Sequence, residues 1–150
     1  MAGLYFEEFA VGQEFVHGIR RTVTETDNLL FTTMTHNPAA LHLDAEYCKE
    51  TEFGQILVNS LFTLSLVVGI SVNDTTLGTT VANLGFGSVT FPKPVFIGDT
   101  LTVKTTVKAL RPSKSRPGQG VVSFEHSATN QRGETVVVAE RSALMLGRDS

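Results

Sequence analysis

The segment "SLFTLSLVVGISV", residues 60 to 72, limits the fold of this chain more than any other. Its apolar residues fall on every side of a helix with 3.6 residues per turn, instead of forming one stripe. They are Leu61, Phe62, Leu64, Leu66, Val67, Val68, Ile70 and Val72. We therefore predict a helix over residues 60–72 that is buried all round, so that the other elements have to cover it.

The sequence after this helix predicts strands. Segments rich in Val, Thr and Phe follow one another and are separated by the turn sequences "IGD", "RPGQG" and "QRGE". One more strand is predicted near the N terminus, around Gly12 and Gly18. The simplest arrangement is α+β: an antiparallel sheet of about five strands wrapped around the helix. Because this leaves an edge strand and the far side of the helix uncovered, we expect a homodimer or a dimer-based oligomer.

Length and composition predict a single domain over residues 1–150. The hydrophobic fraction of 41% and the ten Phe residues indicate a packed core. A net charge of −3 gives no reason to expect nucleic-acid binding. The single cysteine, Cys48, cannot form an internal disulfide. With no signal peptide in "MAGLYFEEF" and no apolar run of ~18 residues, we expect a cytoplasmic protein without a membrane span.

The sequence "TETD" predicts a helix that begins just after Thr24, because Thr24 and Asp27 have the spacing of a capping box. This helix should cover residues 25–35. Pro38 cannot continue it, so residues 36–43 should be irregular. Asp44 is then the predicted N-cap of a short helix, "AEYCKE".

The predicted loop lies within "MTHNPAALHLD", residues 34–44, and contains the best candidate for acid–base catalysis. Histidine changes charge near neutral pH, which suits His42 to proton transfer. Leu41 and Leu43 should hold the loop against the core, with Asn37 nearby. The alternative is that His42 only caps a helix.

A second candidate is the start of the apolar helix, "VNSLF". Free N–H groups and the positive dipole end of a helix can stabilise an oxygen that gains negative charge. The alternative is ordinary capping by Asn59 or Ser60, and both can hold together.

Three further patterns are weaker. The loop with Arg111, Lys114 and Arg116 could contact the phosphates of a nucleotide-bearing ligand, although a solvated turn is the more common role of such a sequence. His17 and His126 lie within strand patterns and are interpreted as structural. His36, His42 and Asp44 lack the spacing of a helical metal site, so we predict no metal.

These segments resemble the MaoC-like dehydratases, the (R)-specific enoyl-CoA hydratase family of the hot-dog superfamily, over nearly the whole chain. "THNPAALHLDAEY" is similar to the hydratase loop, "FGQILVNSLFTLSLVVG" to the hot-dog helix, and "FPKPVFIGDTLTV" to the strands that follow. The resemblance places His42 on the catalytic histidine, Asn37 on the catalytic aspartate and the Ser60 amide on the oxyanion hole. We also predict that Asn59, Leu61 and Arg116 contact the substrate.

This chain departs from the family pattern at several positions. Gly is replaced by His36, the Asn-Pro pair falls on Ala39 and Ala40, and the His-Gly pair falls on Asn59 and Ser60. The most important change is aspartate to Asn37, because an amide cannot act as a carboxylate base. A dead or regulatory member is one interpretation. The other, which we prefer, is a subgroup acting on dicarboxyl substrates such as mesaconyl-CoA or itaconyl-CoA, with Arg21 as the carboxylate's partner.

The resemblance implies reversible hydration of a trans-2-enoyl-CoA to a 3-hydroxyacyl-CoA, with coenzyme A as part of the substrate and no separate cofactor. A hot-dog thioesterase is less well supported, because residues 60–72 contain no Asp or Glu. The third alternative is a non-catalytic subunit that binds acyl-CoA.

Overall fold

The computed structural model describes residues 3–150 and contains one sheet of five antiparallel strands, in the order β1-β3-β4-β5-β2. The strands are β1 (Glu14–Thr22), β2 (Thr80–Thr90), β3 (Thr100–Pro112), β4 (Gly120–Thr129) and β5 (Thr135–Met145). The helices are α1 (Glu25–Met34), α2 (Ala40–Leu43), α3 (Ala45–Lys49) and α4 (Ser60–Thr75), preceded by a 3-10 turn, Phe6–Glu8. The sheet packs around α4, which confirms the predicted α+β hot-dog arrangement.

The main core lies between α4 and the inner face of the sheet. Val67 and Ile70 of α4 pack with buried residues of the strands, among them Leu101, Val103 and Val137. Complete burial of one such side chain stabilises a fold by about 1.5–3 kcal/mol. This core fixes the position of the α4 N terminus relative to the sheet.

The prediction that α4 is buried all round is wrong for the single chain. The helix continues to Thr75, and Ser60, Leu61, Ser65, Gly69 and Asn73 are exposed. A spacing of four residues places most of them on one face. The sheet covers only the opposite side of the helix, which explains the exposure.

β2 is a second element with many exposed residues. β2 is an edge strand and α4 packs against the other four strands. Val81, Leu84 and Phe86 are 37%, 52% and 43% exposed. We call the exposed residues of α4 and β2 the open face.

The segment between β1 and α4 follows most of the sequence predictions. The capping box is confirmed, because Thr24 Oγ1 accepts from the Asp27 amide while the Asp27 carboxylate accepts from the Thr24 amide. Asp44 caps α3 by accepting from the Tyr47 amide, also as predicted. The prediction of irregular backbone over residues 36–43 is wrong in part, because α2 begins two residues after Pro38. Ala39 and Ala40, at the start of α2, carry little side-chain entropy to lose, which favours this short helix.

Candidate active site

His42 lies on α2, and only one of its ring nitrogens has a hydrogen-bond partner within residues 3–150. Its Nδ1 is 2.7 Å from the carbonyl oxygen of Leu57, just before α4. A carbonyl oxygen can only accept, so Nδ1 carries the proton and donates it. The lone pair of Nε2 in the neutral ring is then free to take a proton from a substrate or water. The Leu57 amide donates to the Leu41 carbonyl in return, which holds α2 against the α4 entrance.

Asn37 is half-buried at the end of α1, and its carbonyl is already in use. Its Oδ1 accepts from the Ala39 backbone amide at 3.0 Å, and the backbone N–H of Asn37 donates to the Thr32 carbonyl. Within residues 3–150, its Nδ2 hydrogens have no protein acceptor. An asparagine could in principle hold a water through its carbonyl while its NH2 group donates elsewhere. The structure instead leaves the donor side of the amide available.

The backbone at His36 explains why the family pattern has glycine there. His36 has a φ of 59° and is the one non-glycine residue in the described chain with a positive φ. This left-handed conformation is costly for any side chain and free of cost for glycine. The side chain of His36 is exposed.

The start of α4 combines a cap with a free amide. Asn59 Oδ1 accepts from the Leu61 amide at 3.0 Å, and Asn59 Nδ2 donates to Thr32 Oγ1. No atom of residues 3–150 accepts from the Ser60 amide. The capping role is therefore confirmed, while the Ser60 N–H group has no protein acceptor within the described residues and remains the predicted donor to an oxyanion. Since both side-chain ends of Asn59 are occupied, this bonding argues against its predicted contact with substrate.

Asn28 is a site residue that sequence reasoning missed. It is 2% exposed on α1, where its Nδ2 donates to the His42 carbonyl at 3.0 Å and its Oδ1 accepts from the Asn59 amide at 2.9 Å. One side chain thus joins the histidine segment to the first residues of α4. Asn28 and Thr32 lie four residues apart on the inward face of α1, and two polar residues at that spacing were the available signal.

A cavity of about 230 Å³ opens beside the start of α4. Its walls come from the segment before α4, from the first turn of α4, from the segment after β2, and from β5. The lining residues are Phe53, Leu57, Val58, Ser60, Thr63, Phe91, Lys93, Pro94, Val95 and Val136. The candidate oxyanion residue Ser60 and the His42 partner Leu57 both border it, so the cavity adjoins the candidate site.

The structure does not bring the three other predicted substrate contacts to this cavity. Arg21 makes two hydrogen bonds to Asp27, at 2.6 and 2.8 Å, which hold the pKa of that carboxyl well below its usual range. This pairing argues against Arg21 as a partner for substrate. Leu61 is 57% exposed on the open face. Arg116 lines a separate groove beside β2, together with Arg111 and Lys114.

His17 and His126 are bonded at both ring nitrogens. Arg141 Nε donates to His126 Nε2, so His126 Nδ1 donates to Thr105 Oγ1, the Thr105 hydroxyl donates to His17 Nε2, and His17 Nδ1 donates to Asp74. Burial, together with the positive charge of Arg141, lowers the pKa of His126 to about 3. This chain of hydrogen bonds crosses four strands and supports the structural interpretation of both histidines.

Residues 3–150 lack two further features. No three His, Cys, Asp or Glu side chains in that range are grouped so that they could hold a metal ion. No helix in the same range has the length and apolar character needed to cross a membrane.

Comparison with known proteins gives consistent similarities. Residues 7–130 match the model of the MaoC like domain. The chain is 33% identical over 149 residues to "Mesaconyl-CoA hydratase" of Cereibacter sphaeroides, an alignment that covers 99% of this chain and 43% of that protein. The chain spans about two fifths of the length of the first curated relatives it matches.

Two solved structures of similar length also match. The "Monoamine oxidase regulatory protein" from Archaeoglobus fulgius has a TM-score of 0.87 and 33% identity, covering 98% of this chain and 97% of that one. The "MaoC-like dehydratase" from Rhodospirillum rubrum has a TM-score of 0.83 and 30% identity, covering 97% of this chain and 99% of that one.

Proposed function

The chain belongs to the MaoC-like domain family, and on this premise we propose that it catalyses the reversible hydration of a trans-2-enoyl-CoA to a 3-hydroxyacyl-CoA. The observation that carries the proposal is the hydrogen bond from His42 Nδ1 to the carbonyl of Leu57, three residues before Ser60. Within residues 3–150, neither His42 Nε2 nor the Ser60 amide has a partner. Coenzyme A is part of the substrate, and the proposal needs no separate cofactor or metal.

In the proposed mechanism, Asn37 and His42 hold a water molecule. His42 Nε2 takes one proton from it as the oxygen forms a bond to C3. The electrons of the C2–C3 double bond move onto the thioester, whose oxygen accepts from the Ser60 amide and is stabilised by the α4 dipole. The His42 proton then passes to C2, and the histidine returns to its starting state. A donor of the oxyanion-hole type contributes about 10²–10³-fold to such a step.

A dicarboxyl acyl group is the preferred substrate within this proposal. A relative of the chain is named a mesaconyl-CoA hydratase. Asn37, unlike the usual aspartate, is uncharged and does not repel a second carboxylate on the substrate. Itaconyl-CoA is the other substrate of this type that we propose to test.

We also propose that the protein acts in the cytoplasm as a homodimer formed through the open face. Most residues of β2 are exposed, and its outer edge is unpaired. Pairing of two β2 edges would satisfy these backbone groups and cover the exposed side of α4. The groove that contains Arg116 borders Val81 and Leu84 of β2, so a second copy would lie next to it.

A thioesterase is the weaker enzymatic alternative. The longer α4 does contain one acidic residue, Asp74, but it is bonded to His17. It also lies about 21 Å along the helix from Ser60, at ~1.5 Å per residue, which is too far to act on a thioester held there. A non-catalytic acyl-CoA-binding protein is the remaining alternative, and it predicts binding without turnover.

The test is the loss of enoyl-thioester absorbance with crotonyl-CoA, mesaconyl-CoA and itaconyl-CoA. We expect turnover by the wild type and a loss of about 10²–10⁴-fold in His42→Ala. His36→Ala is the matched control, because it removes an exposed histidine from the same segment. Binding of the thioesters without turnover would favour the non-catalytic alternative, and full activity in His42→Ala would contradict the mechanism.

A further inference from the structure

We propose that the cavity beside Ser60 contains a carboxylate-binding subsite, in which the Lys93 ammonium and the Thr63 hydroxyl bind a second carboxylate on the acyl group. The inference rests on the proposed function, because it takes Ser60 as the thioester end of the site. It replaces Arg21, whose guanidinium is occupied by Asp27.

The cavity has the size and walls for a short acyl group. Its volume of about 230 Å³ lies below the ~300–1,000 Å³ of sites for drug-sized ligands. Most of its lining is apolar, including Phe53, Phe91 and Val136. A few placed polar groups then decide which acyl group binds.

Thr63 supplies the first polar group. It is 1% exposed, lies one turn into α4 from Ser60, and its hydroxyl has no partner within residues 3–150. A helical threonine usually donates to the carbonyl four residues earlier. Thr33 and Thr75 do so in this chain, with donation to Leu29 and Ser71. The Thr63 hydroxyl therefore has no hydrogen-bond acceptor within residues 3–150. Because Thr63 borders the cavity, a ligand there could supply that acceptor.

Lys93 supplies the charge. It is the one charged side chain among the described residues that line the cavity, and it forms no ion pair within residues 3–150. Lys49 and Lys104, in contrast, are paired with Glu46 and Glu14. Glu134 lies near enough for the charge of Lys93 to act on its carboxylate, but no ion pair joins the two within the described residues.

The Glu134 carboxylate is already bound, to Arg132 Nε at 2.7 Å and to Asn130 Nδ2 at 3.0 Å. These two hydrogen bonds, with a smaller effect of Lys93, lower the pKa of Glu134. Lys93 therefore remains available for a carboxylate from outside the chain. An ammonium on a flexible stem can reach into the cavity and bind it as a point charge.

The experiment compares two thioesters that differ only at the end of the acyl group. Succinyl-CoA carries a carboxylate where butyryl-CoA carries a methyl group, and neither has a double bond to hydrate. We expect the wild type to bind succinyl-CoA about 10- to 100-fold more tightly by calorimetry, the range for a charge-assisted hydrogen bond. Lys93→Met should reduce this ratio to about one, and Thr63→Val should reduce it by a smaller factor, about threefold.

Two further variants complete the design. Lys93→Arg keeps the charge and should keep the preference. Lys108→Met removes an equal charge from the exposed outer side of β3 and should change nothing. An equal loss of affinity for both thioesters in Lys93→Met would overturn the proposal, because Lys93 would then contact coenzyme A. An unchanged ratio in that variant would also overturn it.

Turnover separates this inference from the proposed function. Mesaconyl-CoA and 2-methylcrotonyl-CoA again differ by a carboxylate in place of a methyl group. Turnover of both without a preference that depends on Lys93 would remove the subsite and leave the hydratase. A Lys93-dependent preference in binding without turnover of any enoyl-CoA would remove the hydratase and leave the subsite.

Discussion

His42 and His126 have the same side chain in opposite environments. His126 is fully buried, with one ring nitrogen bonded to Thr105 and the other to Arg141. His42 is half-buried, and only Nδ1 is bonded. Both rings are held in place by hydrogen bonds, but only the His42 ring retains a lone pair that a substrate can reach. The difference shows how a candidate catalytic histidine can be told from a structural one: one of its ring nitrogens has no hydrogen-bond partner in the protein.

The two regions also differ in how they are supported. The hydrogen bonds of His126 run from strand to strand through the core of the sheet. The support of His42 comes from the backbone around Leu57 and from Asn28, which hold a short helix against the start of α4. A change in the first region should therefore alter stability, and a change in the second should alter activity.

After the loss of His42 itself, the largest effect that we predict is that of Ser60→Pro. Proline lacks the N–H group that the proposed oxyanion hole uses, but it is well tolerated at the first position of a helix. The Asn59 backbone, at φ −58° and ψ 121°, is compatible with a following proline. We expect kcat to fall by about 10²–10³-fold with little change in stability.

Ser60→Ala is the matched control, because it retains the amide and should keep most of the activity. Full activity in Ser60→Pro, measured as enoyl-CoA hydration, would show that this amide does not act on the thioester oxygen.

Asn28→Ala should have an intermediate effect on both properties. It removes the link between the His42 carbonyl and the Asn59 amide and leaves the latter buried without an acceptor. A lost buried hydrogen bond costs about 1–3 kcal/mol in the free energy of unfolding. We expect this loss in urea denaturation and a fall in kcat of about tenfold, as a displaced ring transfers protons less well. A stability loss without any loss of kcat would make Asn28 purely structural.

Lowering the pH should destabilise the fold because of His126. Its pKa is about 3 in the folded chain against an ordinary value of 6.5. As the pH falls from 6.5 toward 3, the unfolded chain binds a proton that the folded chain does not, so the free energy of unfolding decreases. The stability that depends on a neutral His126 is fully present above pH 6.5, decreases as the pH falls, and is lost once the pH has fallen through about 3. Urea denaturation at several pH values should give a smaller slope for His126→Gln.

The smallest effect should come from Arg21→Ala. The Arg21–Asp27 pair is partly exposed, and pairs of this kind contribute about 0–1 kcal/mol. We expect a slightly lower melting temperature and a kcat/KM for mesaconyl-CoA within about twofold of the wild type, at the level of a remote surface change. A much larger loss with mesaconyl-CoA than with 2-methylcrotonyl-CoA would return Arg21 to the site.

The local patterns of the sequence were sufficient for most of the fold. The capping box at Thr24, the break at Pro38 and the cap at Asp44 each depend on residues close in the chain, and each is present. The open face of α4 could not be predicted in the same way. Apolar residues all round a helix indicate that burial of every face is favourable, but they do not show which faces the same chain covers.

The site was predictable in part for the same reason. His42 and Ser60 belong to short patterns, whereas the roles of Asn28, Thr63 and Lys93 depend on contacts between segments far apart in the sequence. Thr63 is one of several threonines on α4 or beside it, and only the three-dimensional structure shows that its hydroxyl is unbonded. The charge of Arg21 alone made it a candidate partner for a substrate carboxylate. The structure shows that its guanidinium is already hydrogen-bonded to Asp27.

The most direct test of the account measures His42→Gln and His126→Gln side by side, for kcat/KM with an enoyl-CoA and for the melting temperature. We predict that His42→Gln loses activity by about 10²–10⁴-fold and melts near the wild type. His126→Gln should melt at a lower temperature and retain activity below it. The opposite pattern, with His42→Gln active or His126→Gln folded and inactive, would contradict the assignment of catalysis to the free nitrogen of His42.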